Sequence, residues 1–216
     1  MSTLTDITVQ PATAADLPAA ARVLADAFSA DPVMAAIIPE QADRDERLTE
    51  LFTAVLSSGA YRTGVVDLAR RGIDGEIVGV AAWEAPGAMR GALGRQLREL
   101  PRFARAIGWT RLPHALGLLS QLDRHRPDSP HWYLGEIGVS STARGMGVGG
   151  RLLRAQLDML DATRQSAYLE SSTPDNRRLY RRAGFVELGE ITGIPGARPA
   201  RMLRAPQSLA PAPVGG

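Results

Sequence analysis

Cysteine is absent from the 216 residues. That excludes disulfides, thiolate metal sites and a cysteine nucleophile, so any acyl transfer must run without an acyl-cysteine intermediate. Lysine is absent too; every basic side chain is arginine, which reads as a coding bias. Histidine is scarce, and His114, His125 and His131 show no H-x-x-x-H spacing, so no metal site is expected. The formal charge is only +2, and no long basic run is interleaved with aromatics, so nucleic acid is not an expected partner. No apolar stretch approaches membrane-spanning length. The opening M-S-T-L-T-D lacks the basic and apolar regions of a signal peptide. A soluble, cytoplasmic protein with no membrane partner is the expectation, with one domain over residues 1–205 and a Pro-, Ala- and Gly-rich disordered tail over 206–216.

What the chain has is a stretch around which the rest is arranged, His131 to Gly150. It starts as a strand weighted by Trp132, Tyr133, Leu134, Ile137 and Val139. It turns through Ser140 to Ala143, crosses the glycine-rich Arg144 to Gly150, and becomes a helix from Val148, with Leu152, Leu153, Leu157 and Leu160 at helical spacing. Strand, glycine loop, helix is an arrangement for holding phosphate, because the first amides of a helix lack internal partners and point at one spot. Two cofactor readings fit the loop. Gly145, Gly147 and Gly150 match the dinucleotide fingerprint G-x-G-x-x-G, with Glu170 about twenty residues further on as a ribose-binding acid. Against it, Ser140 to Arg144 separate the strand from the first glycine. The other reading starts at Arg144 and is taken up below.

From the start, a strand is expected over Ile7 to Gln10, then a helix entered through Thr13 and Asp16 as a capping-box pair and ending near Ser29. Asp31-Pro32 begins a short second helix through Met34 to Ile38. A third runs from Arg44 to Ala60. Gly64 to Ala69 and Glu76 to Trp83 read as a hairpin. Residues 88–126 carry eight arginines and two apolar stripes, read as two helices broken near Gly108 to Pro113. This insertion is either added packing or a lid over the acceptor pocket, with Trp109 and His114 as lining candidates. Ser166 to Glu170 is a strand on which Tyr168 and Glu170 share one face. A helix through N-R-R-L-Y-R-R-A follows and stops at Gly184. Phe185 to Ile191 and Ala200 to Arg204 close the pattern as a strand pair.

Arg144-x-x-Gly147-x-Gly149 resembles the pyrophosphate loop R/Q-x-x-G-x-G/A of the GNAT superfamily of N-acetyltransferases. Asn176, Tyr180 and Gly184-Phe185 match that family's N-x-x-x-Y-x-x-x-G-F, downstream by one helix and one strand. A dinucleotide domain gives no reason for this second series. H-R-P-D-S-P-H-W-Y-L, I-G-V-S, Y-L-E-S-S and N-R-R-L-Y look most like a bacterial, antibiotic-modifying branch, the puromycin N-acetyltransferase-like enzymes.

The resemblance implies an α/β (α+β) GNAT fold: a mixed, mostly antiparallel sheet of about seven strands flanked by helices, with the insertion between strands 3 and 4. It implies an acetyltransferase using acetyl-CoA and no metal, acting on a primary amine of a small molecule, and often dimeric. On this chain the pantetheine arm falls to Ile137, Gly138 and Val139, with Gly138 suited to a strand bulge. The diphosphate falls to Arg144, Gly145, Met146, Gly147, Val148, Gly149 and Gly150. Asn176 matches the pantetheine-bonding side chain, and Tyr180 the tyrosine that protonates the leaving sulfur. Glu170 and Glu136 are the candidate bases; the antibiotic-modifying likeness reaches Glu170 and has no acid at Glu136, which favours Glu170. A non-catalytic acyl-CoA-binding domain and a protein N-acetyltransferase are the alternatives.

Overall fold

A computed structural model describes residues 7–39, 42–72 and 75–207. Seven strands form one sheet: β1 (Ile7–Pro11), β2 (Gly64–Arg71), β3 (Ile77–Glu84), β4 (Trp132–Val139), β5 (Ala167–Ser171), β6 (Val186–Glu190) and β7 (Ala200–Arg204). Their order is β1-β2-β3-β4-β5-β7-β6. Every pair is antiparallel except β4–β5, the one pair that a crossover helix joins. β7 lies between β5 and β6, pairing with both.

Alternation along the strands supplies two apolar faces. Val66, Leu68, Val80 and Ala82 face a layer of helices that includes α1 (Leu17–Ala27), α2 (Pro32–Ile37) and α3 (Arg44–Ser58). Val78, Ala81, Trp83, Leu134, Leu169 and Met202 face the opposite layer, dominated by Leu152, Leu153, Leu157 and Leu160 of α8 (Val148–Ala162). Full burial of each of those leucines is worth about 2 kcal/mol, an upper figure because the unfolded chain already hides some apolar surface.

Local chemistry sets the helix starts. Thr13 donates its backbone N–H (2.9 Å) and its hydroxyl (2.7 Å) to the Asp16 carboxylate, beginning a 3-10 turn that runs into α1. Asp31 accepts from the N–H groups of Val33 (2.9 Å) and Met34 (3.0 Å) at the head of α2, where Pro32 takes the first position. α3 ends at Ser58, and Gly59 separates it from a single turn, α4 (Ala60–Thr63). The insertion holds three helices rather than two: α5 (Ala92–Arg98), α6 (Leu100–Ile107) and α7 (Leu112–Asp123). The added break follows from Pro101, which has no N–H for Leu97 and whose ring opposes that carbonyl. The expected tail falls mostly on residues 208–216, outside the described residues, as do the turn residues 73 and 74.

Asp67 breaks the apolar pattern of β2. It is 7% exposed and has no hydrogen-bond or ion-pair partner among the described residues. Burial pushes its carboxyl up to about 6. The unfolded chain, with an ordinary carboxyl, gives up that proton earlier, so native stability falls as pH rises from about 4 to about 6. Asp67→Asn should therefore gain on the parent between pH 4 and pH 7, by on the order of 2 kcal/mol. Thermal melts at the two pH values check this; a gain independent of pH refutes it.

Candidate active site

β4 and β5 are paired over two positions only, Trp132↔Ala167 and Tyr133↔Tyr168. Beyond Tyr133 the strands part, and the β5-facing edge of β4 has no strand partner. Ser140 donates its N–H to Val78 on β3 (2.9 Å), so by alternation Gly138 points to β3 as well, and the amides of Ile137 and Val139 face the gap. The register shift on β4 falls opposite Ala82 and Trp83, which makes Gly135 the unpaired residue, not Gly138. Gly138 answers a different need: a Cβ there would lie 2.7 Å from the Ala27 Cβ and 3.0 Å from Leu24 Cδ2, so glycine lets α1 lie on β4.

The gap leads to the loop. Ser140 to Ala143 form a 3-10 turn, held by Asp26 of α1, which accepts from the Ser141 N–H (2.7 Å) and the Ser140 hydroxyl (3.2 Å). Burial alone would raise the Asp26 carboxyl, but those hydrogen bonds and the Arg144 charge bring it below its usual range. Gly147 caps α8 at φ +73°, a conformation that disfavours a side chain. Arg151 makes the first backbone bond back to Gly147 (3.2 Å), which leaves the amides of Val148, Gly149 and Gly150 at the helix mouth. Gly149 faces Leu179 and Val139, and nothing crowds Gly145 or Gly150. This is a backbone cradle at the positive end of a four-turn helix, suited to a diphosphate.

Across the gap stands α9 (Pro174–Arg182), capped by the Thr173 hydroxyl accepting from the Asn176 N–H at 3.3 Å. Asn176 thus sits in the first turn with its side chain exposed. The helix ends in a Schellman motif: Phe185 N–H bonds to Tyr180 C=O (3.0 Å) and Gly184 N–H, at φ +90°, to Arg181 C=O (3.1 Å). Tyr180 and Phe185 meet edge to face at 6.0 Å, which fixes the tyrosine ring. The ring is buried, and no described residue takes its hydroxyl proton. Burial, then the nearby Asp31 carboxylate, hold that phenol well above its usual range.

The two glutamates lie on the other side of the sheet plane, with Tyr133, Tyr168 and Glu84. Glu170 Oε2 accepts from the Tyr133 hydroxyl at 2.8 Å, while Oε1 is buried without a partner. Arg126, just past α7, stacks its guanidinium 3.5 Å over the Tyr133 ring and bonds Asp123 at 3.0 Å. Burial raises Glu170, with Arg126 and the Tyr133 hydroxyl working against it. Burial and the adjacent Glu84 push Glu136 up to about 8. The insertion brings Arg95, Asp123 and Arg126 near Glu84, whereas Trp109 and His114 are exposed. Sequence reasoning missed Glu84 and Arg126. Glu84 closing an otherwise apolar strand was the available signal; a loop arginine among eight gave none.

The chain thus has a parted parallel pair, a glycine loop at the head of the helix that follows β4, and a buried tyrosine on the helix that follows β5. The model of the Acetyltransferase (GNAT) family matches residues 39–185. The chain belongs to this family. GNAT enzymes transfer an acetyl group from acetyl-CoA, so this is an acetyl-CoA-dependent acyltransferase. Among its relatives, an uncharacterized N-acetyltransferase of Schizosaccharomyces pombe is 28% identical over 184 residues, covering 80% of this chain and 72% of that one. A crystal structure described as histone acetyltransferase HPA2 and related acetyltransferase from Corynebacterium glutamicum is 33% identical, with a TM-score of 0.74 over 94% of this chain and 98% of that chain. Arylalkylamine N-acetyltransferase 2 from Aedes aegypti shares the GNAT fold at 18% identity, with a TM-score of 0.61 over 94% of this chain and all (100%) of that one. No described helix is long and apolar enough to cross a membrane.

Gly138→Ala tests how this GNAT site is held together. The added methyl must push α1 off β4, so the melting temperature should drop by several degrees, corresponding to about 1–3 kcal/mol. An unchanged melting curve refutes the close-approach role.

Proposed function

We propose that this protein acetylates a primary amine of a small molecule by direct transfer, without an acyl-enzyme. The observation that carries the reading is the shared opening: free β4 amides and Tyr180 border the gap, and Glu170 stands on the side where an amine can enter. The cradle fits a coenzyme A diphosphate, since its glycines leave room for the anion and its amides supply donors. Arg144 adds a positive charge beside it, and Asn176, at the start of α9, is assigned to the pantetheine arm. Acetyl-CoA supplies the acetyl thioester and a thiolate leaving group.

The chain's own groups meet three needs. The amides of Ile137 and Val139 stabilise the carbonyl oxygen as it gains charge. Tyr180, kept protonated by burial and by Asp31, donates its proton to the departing sulfur. Glu170, oriented through Oε2 by Tyr133, uses Oε1 to relay the ammonium proton, directly or through one water. Glu136, its carboxyl pushed up to about 8, holds a proton through much of the neutral range and so does not take the amine's proton.

The Corynebacterium relative, a histone acetyltransferase HPA2 and related acetyltransferase, favours a second reading, a protein amine as acceptor. Arg126 favours the small molecule, because its guanidinium, stacked on Tyr133, stands fixed beside the candidate base. Thiol release from acetyl-CoA, assayed with free amines and with peptide amines, separates the two: turnover of peptides alone overturns the small-molecule reading.

Tyr180→Phe should keep the Phe185 contact and the melting temperature, while lowering kcat by about a hundredfold and moving the KM for acetyl-CoA less than about threefold. Full activity in that variant removes Tyr180 from the chemistry. Glu170→Gln should lower kcat/KM for the amine by about a hundredfold or more and remove the acid limb of its pH profile. A retained limb assigns the base elsewhere.

A further inference from the structure

The acceptor side carries more acidic side chains than the proposed reaction uses. Glu84, Glu136 and Glu170 come from three neighbouring strands, β3, β4 and β5, and share one face. Glu84 and Tyr133 are register partners, as are Tyr133 and Tyr168; Glu84 lies in this transverse row, and Glu170 and Glu136 lie two and three residues beyond it on β5 and β4. Among the described residues, none of the three glutamates has an ion pair within 4.0 Å.

Two guanidinium groups are near, and neither neutralises the basin. Arg95 spends its N–H groups on backbone carbonyls: Nε on Ser58 (2.8 Å), Nη1 on Arg90 (2.9 Å) and Nη2 on Ala88. Arg126 is paired with Asp123 and stacked on Tyr133, and its Nε is buried without a partner. Glu170 Oε1 is likewise buried and unpartnered. Glu84, Glu170 and Asp123 are three acids near these two guanidinium groups, and the Glu136 carboxyl lies beside Glu84. Carboxylates without close countercharge are costly to withdraw from water, which a cationic ligand group would offset.

We propose that the acceptor carries a second cationic group besides its reacting amine, and that Glu84 pairs with that group, the Glu136 carboxyl accepting a further hydrogen bond from it, while Glu170 faces the reacting nitrogen. The substrate class is a compact aliphatic diamine or an amine of similar reach, of which one nitrogen is acetylated and the other stays charged. This rests on the small-amine reading above and narrows it. An anionic acceptor would have only Arg126 to meet it, and that group is already paired. A neutral tail would leave the glutamates uncompensated.

Three compounds with the same carbon chain and the same reacting end test the proposal: butylamine, diaminobutane and aminobutyrate. Calorimetric binding to the full chain saturated with coenzyme A reads the charge preference without needing turnover. Diaminobutane should bind at least about tenfold more tightly than butylamine, with aminobutyrate weakest. In Glu84→Gln the diamine advantage should shrink to within about threefold, with coenzyme A affinity as the check on folding. Equal binding of the three, a preference for aminobutyrate, or an undiminished preference in folded Glu84→Gln overturns the proposal. Acetylation assays on the same compounds keep the two readings apart. A bound but unacetylated diamine removes the small-amine acetylation and leaves the charge preference; acetylation of all three at equal kcat/KM does the reverse.

Discussion

The parting of β4 from β5 after Tyr133 is the constraint from which the site follows. A parallel pair that stayed closed would use the Ile137 and Val139 amides in its own ladder. Three local devices keep it open. The unpaired Gly135 re-aims β4, so that Glu136 and Tyr133 come to one face. Gly138 lets α1 press on the strand from the side of Leu24 and Ala27. β7 takes the other edge of β5 along its whole length, so β5 is anchored away from β4. The sheet gives up a few hydrogen bonds there, and the gap becomes a lined slot between two well-packed layers.

Around that slot the two faces of the sheet divide the work. The α8 side carries the glycine cradle and the helix end, whose partial positive charge suits an anion. The α1 side gathers carboxylates, tyrosines and one stacked arginine. Asp26 joins the two, since it belongs to α1 yet holds the turn that leads into the cradle. Tyr180 is buried on α9, where its orientation is set by a helix stop and an aromatic contact rather than by a hydrogen bond to its hydroxyl.

Local signals carried much of this arrangement. Asp31-Pro32 announced α2, because a capping acid followed by proline at the first helical position has few other uses. Gly184-Phe185 announced the end of α9. The errors have equally local or longer-range causes. Pro101 split one predicted helix into two, a rule available in the sequence and not applied. The bulge at Gly135 instead of Gly138 depended on how β3 aligns with β4, and both glycines look alike from the chain alone. Trp109 and His114 looked like lid residues by type, yet the packing of α6 and α7 turned them outward.

The sequence by itself determined the family and the order of the seven strands, because these rest on short-range patterns: period, caps and glycines within a few residues. Only the tertiary structure decided which side chains meet across the slot. Glu84, Tyr133, Glu136, Glu170 and Arg126 span residues 84 to 170, and a charge cluster is a property of strand register and sheet order. Those are fixed by packing between distant segments, and no local pattern encodes them.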